Sequence, residues 1–306
     1  MFGPTILINI VLYNPDPNKV LELMRICCIY QHAKILLFDN SNNLQLLNYK
    51  KSEKIISYKS SQNVGIAGAH YYACKLAENE NYDFLLFLDQ DTQLPEYFIN
   101  NMISEFYRLQ KIYSRLVAIG PSWRDARTYD WYQEKNNKVT VKNILKKKFK
   151  IAIKINNLIK LNNVIISSGM LVLVKFLKDT GYPKKEYFID LVDLEWCLRA
   201  FSKGYHVEMI KNIQIQHAIG EVKKNKNKFI HYQNPLRYYY SIRNSFFLFR
   251  EKQYPLGFRF FILIRNILEI KKIPFVPESK KSLIAAFHGL KDGLLSRKTS
   301  SMEMFN

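Results

Sequence analysis

The chain has 306 residues, 48% of them apolar, and 46 Lys and Arg against 26 Asp and Glu give a formal charge of +20. This composition is globular and excludes a disordered or collagen-like chain, and the length allows one large or two small domains, each with a substantial core. Four cysteines, Cys27, Cys28, Cys74 and Cys197, form no CxxC pair and follow no basic leader, which excludes a disulfide-stapled mini-protein and points to a cytoplasmic, reducing setting.

Over the first 120 residues short apolar runs alternate with helical patterns, the signature of βαβ units around a mostly parallel sheet. Strands are predicted at Thr5 to Leu12, Lys34 to Phe38, Ile55 to Tyr58, Asp83 to Leu88 and Leu116 to Ile119. Helices are predicted at Lys19 to Ile29, Ala67 to Ala77 and Pro95 to Leu109. The unbroken "FLLFL" before Asp89 suits a strand covered on both faces. From Trp123 to Leu161 periodicity fades into lysines, which reads as an inserted loop or a mobile helical segment that would serve as a lid. Then "NNVIISSGMLVLV" reads as a strand with a Ser-Gly bend, Leu191 to Lys203 as a helix, and "YHVEMI" and "IQIQH" as two short strands. The tail from Tyr232 is helical, broken at Pro255, Pro274 and Pro277. Its most apolar run, Phe258 to Leu268, is interrupted by Arg259, Arg265 and Asn266, so no segment reaches the about 18 apolar residues of a membrane span.

Charge is unevenly distributed. Residues 1 to 100 hold 8 basic and 10 acidic side chains, Lys135 to Lys160 holds nine lysines and no carboxylate, and Arg250 to Lys298 holds 11 basic against 4 acidic. Such stretches suit either a solvated surface or an anionic partner: nucleic acid, anionic lipid or a phosphorylated small molecule.

Ligands of open parallel sheets collect at the carboxyl ends of strands, where Asp39, Asn63 and Asp89 fall. "LDQDT" delivers Asp89 and Asp91 two residues apart, on one side of an extended chain, and paired hard oxygens favour Mg²⁺ or Mn²⁺. The alternative is a polar turn with Asp91 capping the next helix. "NVGIAGAH" places Gly65 and Gly68 at a helix start, for close approach of a ligand or for helix–sheet packing; it has neither GxGxxG nor a Walker lysine. "FIDLVDLEWCLRAFSKGY" sets Asp190, Asp193 and Glu195 at a helix start with Leu194, Leu198 and Phe201 as the inward stripe. These acids either serve the helix dipole and pair with Arg199, or one of them is a general base. His217 is structural, or a metal ligand if the fold brings it to Asp91. Arg237, Arg243 and Arg250 interleave with aromatics in "RYYYSIRNSFFLFR", as solvated arginines around a core stripe or as phosphate ligands.

In order, "VLYNP", "LLFDNSN", "NVGIAGA", "LDQDT", "SSGMLV", "FIDLVDLEWCLRA", "IQH" and "RYYYSIRN" resemble the family 2 glycosyltransferases, particularly bacterial rhamnosyltransferase-like members, over about residues 5 to 250. The resemblance implies a GT-A fold, α/β with a Rossmann-like mostly parallel sheet and helices on both faces. A catalytic domain would cover 1–230, with a nucleotide-binding half to about 122 and an acceptor-binding half to 230. A basic helical extension would cover 231–306. Carried over by position, Tyr13 would lie against the nucleobase, Asp39 would accept its N3–H, and Asn63 and Gly65 would approach the nucleotide sugar. Asp89 and Asp91 would form the DxD pair and His217 would complete the metal or diphosphate site, with Arg243 and Asn244 lining the diphosphate. Asp193 would be the base; Val192 stands where the family usually has Glu, which leaves Asp190 as a rival.

The implied reaction is inverting transfer from a dTDP- or UDP-sugar, with L-rhamnose from dTDP-rhamnose first, onto a hydroxyl of a saccharide carried on polyprenyl diphosphate. The UDP-sugar alternatives are galactosyl, galactofuranosyl and N-acetylhexosaminyl donors. The helical stretches Phe258 to Ile270 and Ser282 to Leu295 combine apolar faces with Lys and Arg, which suits the inner surface of an anionic membrane, packing on the catalytic domain or a homo-oligomer contact. Two rival readings are weaker. A basic nucleic-acid-binding protein lacks any helix-turn-helix, RNP or zinc-finger pattern, and a nucleotidyltransferase lacks its glycine-basic loop, having only "YNPDPNKV" there.

Overall fold

The computed structural model describes residues 3–42, 52–124, 164–217, 220–225 and 228–297, as backbone alone between 221 and 231. The Lys-rich segment 135–160, and with it nearly all of the expected lid, lies outside these residues. The chain forms two compact units. The first takes residues up to Arg124, then 164–188 and Val192–His217; the second takes Ile189–Leu191 and the described residues from 220 onward.

The first unit is built on a seven-stranded sheet. Its strands are β1 (Ile6–Leu12), β2 (Ala33–Asp39), β3 (Ile55–Lys59), β4 (Phe84–Asp89), β5 (Leu116–Arg124), β6 (Leu171–Leu173) and β7 (His206–Gln216), in the order β3-β2-β1-β4-β6-β5-β7. All pairings are parallel except those of β6, which runs antiparallel to β4 and β5. β1 and β4 present near-continuous Ile, Leu and Phe because helices cover both faces. Helix α1 (Pro17–Cys27) starts where the Asp16 carboxylate accepts the Asn18 N–H and Pro17 takes the first turn. On one face α2 (Gly65–Asn79) lays Ala73, Cys74 and Ala77 against Leu7, Leu85 and Phe87, and α4 (Val192–Ser202) adds Trp196, Cys197 and Ala200. The alternate residue Phe84 faces the other way, meeting Phe106 of α3 (Phe98–Gln110) edge-on with ring centres 4.9 Å apart.

Four expectations differ from the structure. The "NNVIISSGMLVLV" run is strand only over Leu171–Leu173, because the chain turns at Gly169, where φ is +87° and a Cβ would lie 2.6 Å from the Pro121 ring. The two short strands after Gly204 are one: β5 pairs along all of β7, and the extra residues near Lys211 bulge out, with their carbonyls at 211 and 213 bonded by the Ser122 hydroxyl. Phe201 is 46% exposed, so the inward stripe of α4 is Leu194, Cys197 and Leu198 instead. Asp91 caps no helix; α3 begins after Tyr97 with no side-chain cap.

The second unit pairs β8 (Glu221–Asn225) with β9 (Lys228–Tyr232), a hairpin that the pattern did not predict, and continues as α5 (Pro235–Arg250), α6 (Leu256–Glu269) and α7 (Ser279–Leu294). Asn234 caps α5 by accepting the Arg237 N–H at 2.9 Å. Tyr238 and Ile242 of α5 pack with Ile273 and Ala286.

His70 of α2 is buried against Phe87, ring centres 4.2 Å apart, and burial pushes its pKa from 6.5 down to about 3. The imidazole therefore stays neutral in the fold and takes up a proton on unfolding. Its contribution to stability is complete above pH 6.5 and shrinks as the pH falls toward 3, by up to about 1.4 kcal/mol per pH unit. Urea unfolding between pH 7 and about 4 should show a shallower loss of stability in His70→Leu than in the wild type; equal slopes would mean that His70 is protonated in the fold.

Candidate active site

Register places the site. Leu12 pairs with Asp39 and Val11 with Asp89, so the chain leaves β1, β2 and β4 along one edge of the sheet. There the backbone turns at once: the Thr92 N–H bonds the Asp89 carbonyl at 3.1 Å, so Asp89 ends β4 and Asp91 stands on the tight turn that follows, not on an extended continuation of the strand. Gln93 then makes a two-bond antiparallel bridge with Gln216, at 3.0 and 3.2 Å. The next residue after Gln216 is His217, and its ring lands between the carboxylates, with Nε2 3.3 Å from Asp89 Oδ2 and Nδ1 3.6 Å from Asp91 Oδ1. The ring is 10% exposed, and Nδ1 is buried with no hydrogen-bond partner. One nitrogen faces each carboxylate, so the three side chains do not converge on a single point. Among the described residues no group of three or more His, Cys, Asp or Glu is arranged around a metal position.

The turn is fixed by residues that motif spacing does not single out. Gln90 bonds both backbone groups of Tyr13, accepting its N–H at 2.7 Å and donating to its carbonyl at 3.1 Å. The Ser168 hydroxyl bonds Thr92 and lies 3.5 Å from the Asp89 N–H. A cavity of about 430 Å³ opens beside Asp91 and Thr92, walled by Asn18, Lys19 and Glu22 of α1.

The other predicted residues of the first unit lie nearby in the fold. Tyr13 is 45% exposed at the end of β1. Asp39 is fully buried: one oxygen accepts the Ser41 N–H at 2.8 Å and the other lies 3.4 Å from Lys59 Nζ. Asn63 accepts the Gly65 N–H at 2.9 Å, while Asn40 holds the same turn by accepting from Val64 N–H and donating to the Gly65 carbonyl, both at 3.1 Å. Gly65 has φ +68°, and a Cβ there would meet the Phe188 carbonyl and sit 2.7 Å from its ring. Its small size is thus used for packing within the unit.

The three acids around α4 separate into different environments. Glu195 is structural, bonded to Arg199 at 2.9 and 3.0 Å and 3.1 Å from Lys184. Asp193, in the first unit, accepts the Leu194 N–H at 2.8 Å and the Ser167 N–H at 3.2 Å, one on each oxygen. Asp190, in the second unit, is gripped by Arg237, whose Nε lies 3.2 Å from both carboxylate oxygens. Asp190 and Leu191 both have positive φ, +62° and +61°, an unfavourable backbone for non-glycine residues. Asn244 holds that backbone by donating to the carbonyls of Ile189 and Asp190 at 2.8 and 2.9 Å. Arg243 is fully buried, with Nη2 2.9 Å from Asn244 Oδ1 and its guanidinium 4.6 Å from the Tyr240 ring centre. It orients Asn244 and presents no surface to a ligand.

The known proteins that the chain resembles agree with this architecture. The model of glycosyl transferase family 2 matches residues 20–170. A Shigella flexneri protein named dTDP-rhamnosyl transferase RfbF is 30% identical over 292 residues, 92% of this chain and 94% of that one. Crystal structures of S. aureus TarS residues 1–349, alone and in complex with UDP-GlcNAc, superpose with TM-scores of 0.56 and 0.58 at 13% and 12% identity. Each covers 96% of this chain and 82% of the other. The sheet order, the acidic turn and the relative that spans nearly the full length lead to one conclusion: the chain belongs to glycosyltransferase family 2.

Proposed function

We propose that the protein is a metal-dependent inverting hexosyltransferase that moves L-rhamnose from dTDP-rhamnose onto a saccharide hydroxyl. The observation that carries this reading is the meeting of Asp89, Asp91 and His217 at the carboxyl edge of the sheet, in a chain 30% identical to a dTDP-rhamnosyl transferase. The acceptor in this reading is an oligosaccharide on polyprenyl diphosphate, growing into a cell-surface polysaccharide or O-antigen at the inner face of the membrane.

Two carboxylates and an imidazole are a donor set suited to Mg²⁺ or Mn²⁺, and the buried Nδ1 of His217, 3.6 Å from Asp91 and in no hydrogen bond, is the nitrogen that would ligate such an ion. Asp91 and His217 would hold the ion with Asp89 adjoining. When bound, it supplies positive charge against the charge that builds on the leaving diphosphate.

Asp193 takes the proton of the acceptor hydroxyl as that oxygen attacks the anomeric carbon, and the bond to the diphosphate breaks on the opposite face. No covalent enzyme intermediate forms. The two backbone N–H groups on Asp193, one on each oxygen, fix its rotamer. The oxygens of Asp190 are committed to Arg237, which favours Asp193 as the base and Asp190 as the anchor of its loop. Tyr13 offers its exposed ring to the nucleobase. Asp39 receives N3–H in the place now taken by Lys59, the more exposed partner of that pair. Asn63 and the Gly65 turn face the nucleotide sugar, and within the second unit Asn244, oriented by Arg243, holds the loop at 189–191.

A UDP-sugar is the second reading, favoured by the similar fold of a TarS crystal structure containing UDP-GlcNAc. Uracil and thymine both carry N3–H, so Asp39 serves either. Calorimetric titration with dTDP and UDP, each with and without Mn²⁺, separates them: dTDP is expected to bind more tightly with Mn²⁺, and binding of UDP alone would transfer the assignment to a UDP-sugar. His217→Ala should remove the Mn²⁺ increment while leaving metal-free nucleotide affinity in place. Asp193→Asn should reduce kcat by about 10²–10⁴-fold with dTDP affinity nearly unchanged; wild-type turnover in that variant would move the base elsewhere.

A further inference from the structure

Helix α7 is packed in the reverse of the usual sense. Its buried side is small: Ser282, Ala285, Ala286, Gly289 and Gly293 are buried, Ala286, Gly289 and Gly293 against α5, and a Cβ on Gly289 would come 2.6 Å from the Tyr239 carbonyl oxygen. Close backbone approach replaces large side chains there, and Asp292 on this side bonds the Tyr239 hydroxyl at 2.8 Å. The large apolar residues point outward instead. Leu283, Ile284, Phe287 and Leu294 are 55 to 67% exposed, and Lys280 and Lys291 fall among them at i, i+3, i+4, i+7 spacing. No carboxylate stands on this stripe. Eight of the fifteen exposed large apolar residues among those described lie between Leu256 and Leu295, with Phe275 just ahead of α7 the most exposed of them alongside Phe287.

From this we infer that the outer face of α7 docks on the surface of an anionic phospholipid bilayer, with Phe287 at its centre and Lys280 and Lys291 reaching the headgroups. An apolar stripe bearing lysines and no acids suits that surface: the rings enter the acyl boundary while the ammonium groups extend along their stems to phosphate. A second copy of the chain suits it less well, because a two-fold contact through this face would bring lysines onto lysines in an apolar setting. The inference names the membrane contact of the proposed reaction and rests on that reading for its purpose, but its test needs no catalysis.

The full chain would be floated with vesicles of phosphatidylcholine alone and of phosphatidylcholine mixed with phosphatidylglycerol. Binding to the mixed vesicles is expected, weakened by high salt. Phe287→Glu should reduce it roughly tenfold or more, and the Lys280→Glu, Lys291→Glu double variant should reduce it as well. Ile112→Glu, an equally exposed apolar position in the first unit, adds the same charge and should leave binding intact. Circular dichroism melting alongside the wild type establishes that each variant is folded. Failure of the wild type to bind mixed vesicles, equal losses in Phe287→Glu and Ile112→Glu, or a dimer in sedimentation that Phe287→Glu dissolves would each overturn the assignment while leaving nucleotide binding to stand or fall separately.

Discussion

Two carboxylates held near one another repel, and a fold that keeps them so must restrain the backbone that carries them. Asp89 and Asp91 are restrained from every side. The Asp89–Thr92 turn closes the chain between them, Gln90 ties that turn to the end of β1, and the Gln93–Gln216 bridge fastens it to the end of β7. The same bridge sets the position of His217, so the imidazole is delivered by the restraint itself. The parallel register of β1, β2 and β4 is what makes these ends coincide, and the apolar cover on both faces of the sheet is what keeps that register.

The arrangement of the acids around α4 follows a similar economy. Glu195 is spent on packing, Asp190 on a guanidinium, and Asp193 on two backbone N–H groups at a helix start. One short stretch of sequence thus supplies a structural acid, a loop anchor and a carboxylate that accepts the N–H groups of Ser167 and Leu194 at a helix start.

Much of this was legible in the residues. Short apolar runs gave the parallel strands, Pro95 marked the approach to α3, and "LDQDT" with "IQH" marked the two strand ends that meet. Other features depend on tertiary context. The β8–β9 hairpin is written in lysines and asparagines with little apolar alternation, so period-2 patterning could not reveal it. The single strand β7 looked like two because the bulged residues near Lys211 break the alternation. Arg243 reads as a surface cation until three aromatic rings, those of Tyr239, Tyr240 and Phe247, are seen around its guanidinium. The helix α7 carries an amphipathic period, but which side faces inward follows from glycine and alanine meeting the α5 backbone, which hydrophobicity ranks the wrong way round.

The backbone at Asp190 and Leu191 is left-handed without glycine, and it is held by Asn244 and Arg237, which lie about fifty residues further along the chain. Folding order is the consequence. A ribosome releases the sheet, the acidic turn and α4 before it releases the residues that lock this loop, so the nascent chain can complete its sheet while the strained loop is still free to relax. Competence of the loop is therefore acquired only when α5 has formed, which ties the last step of assembly to the helical tail and not to the sheet.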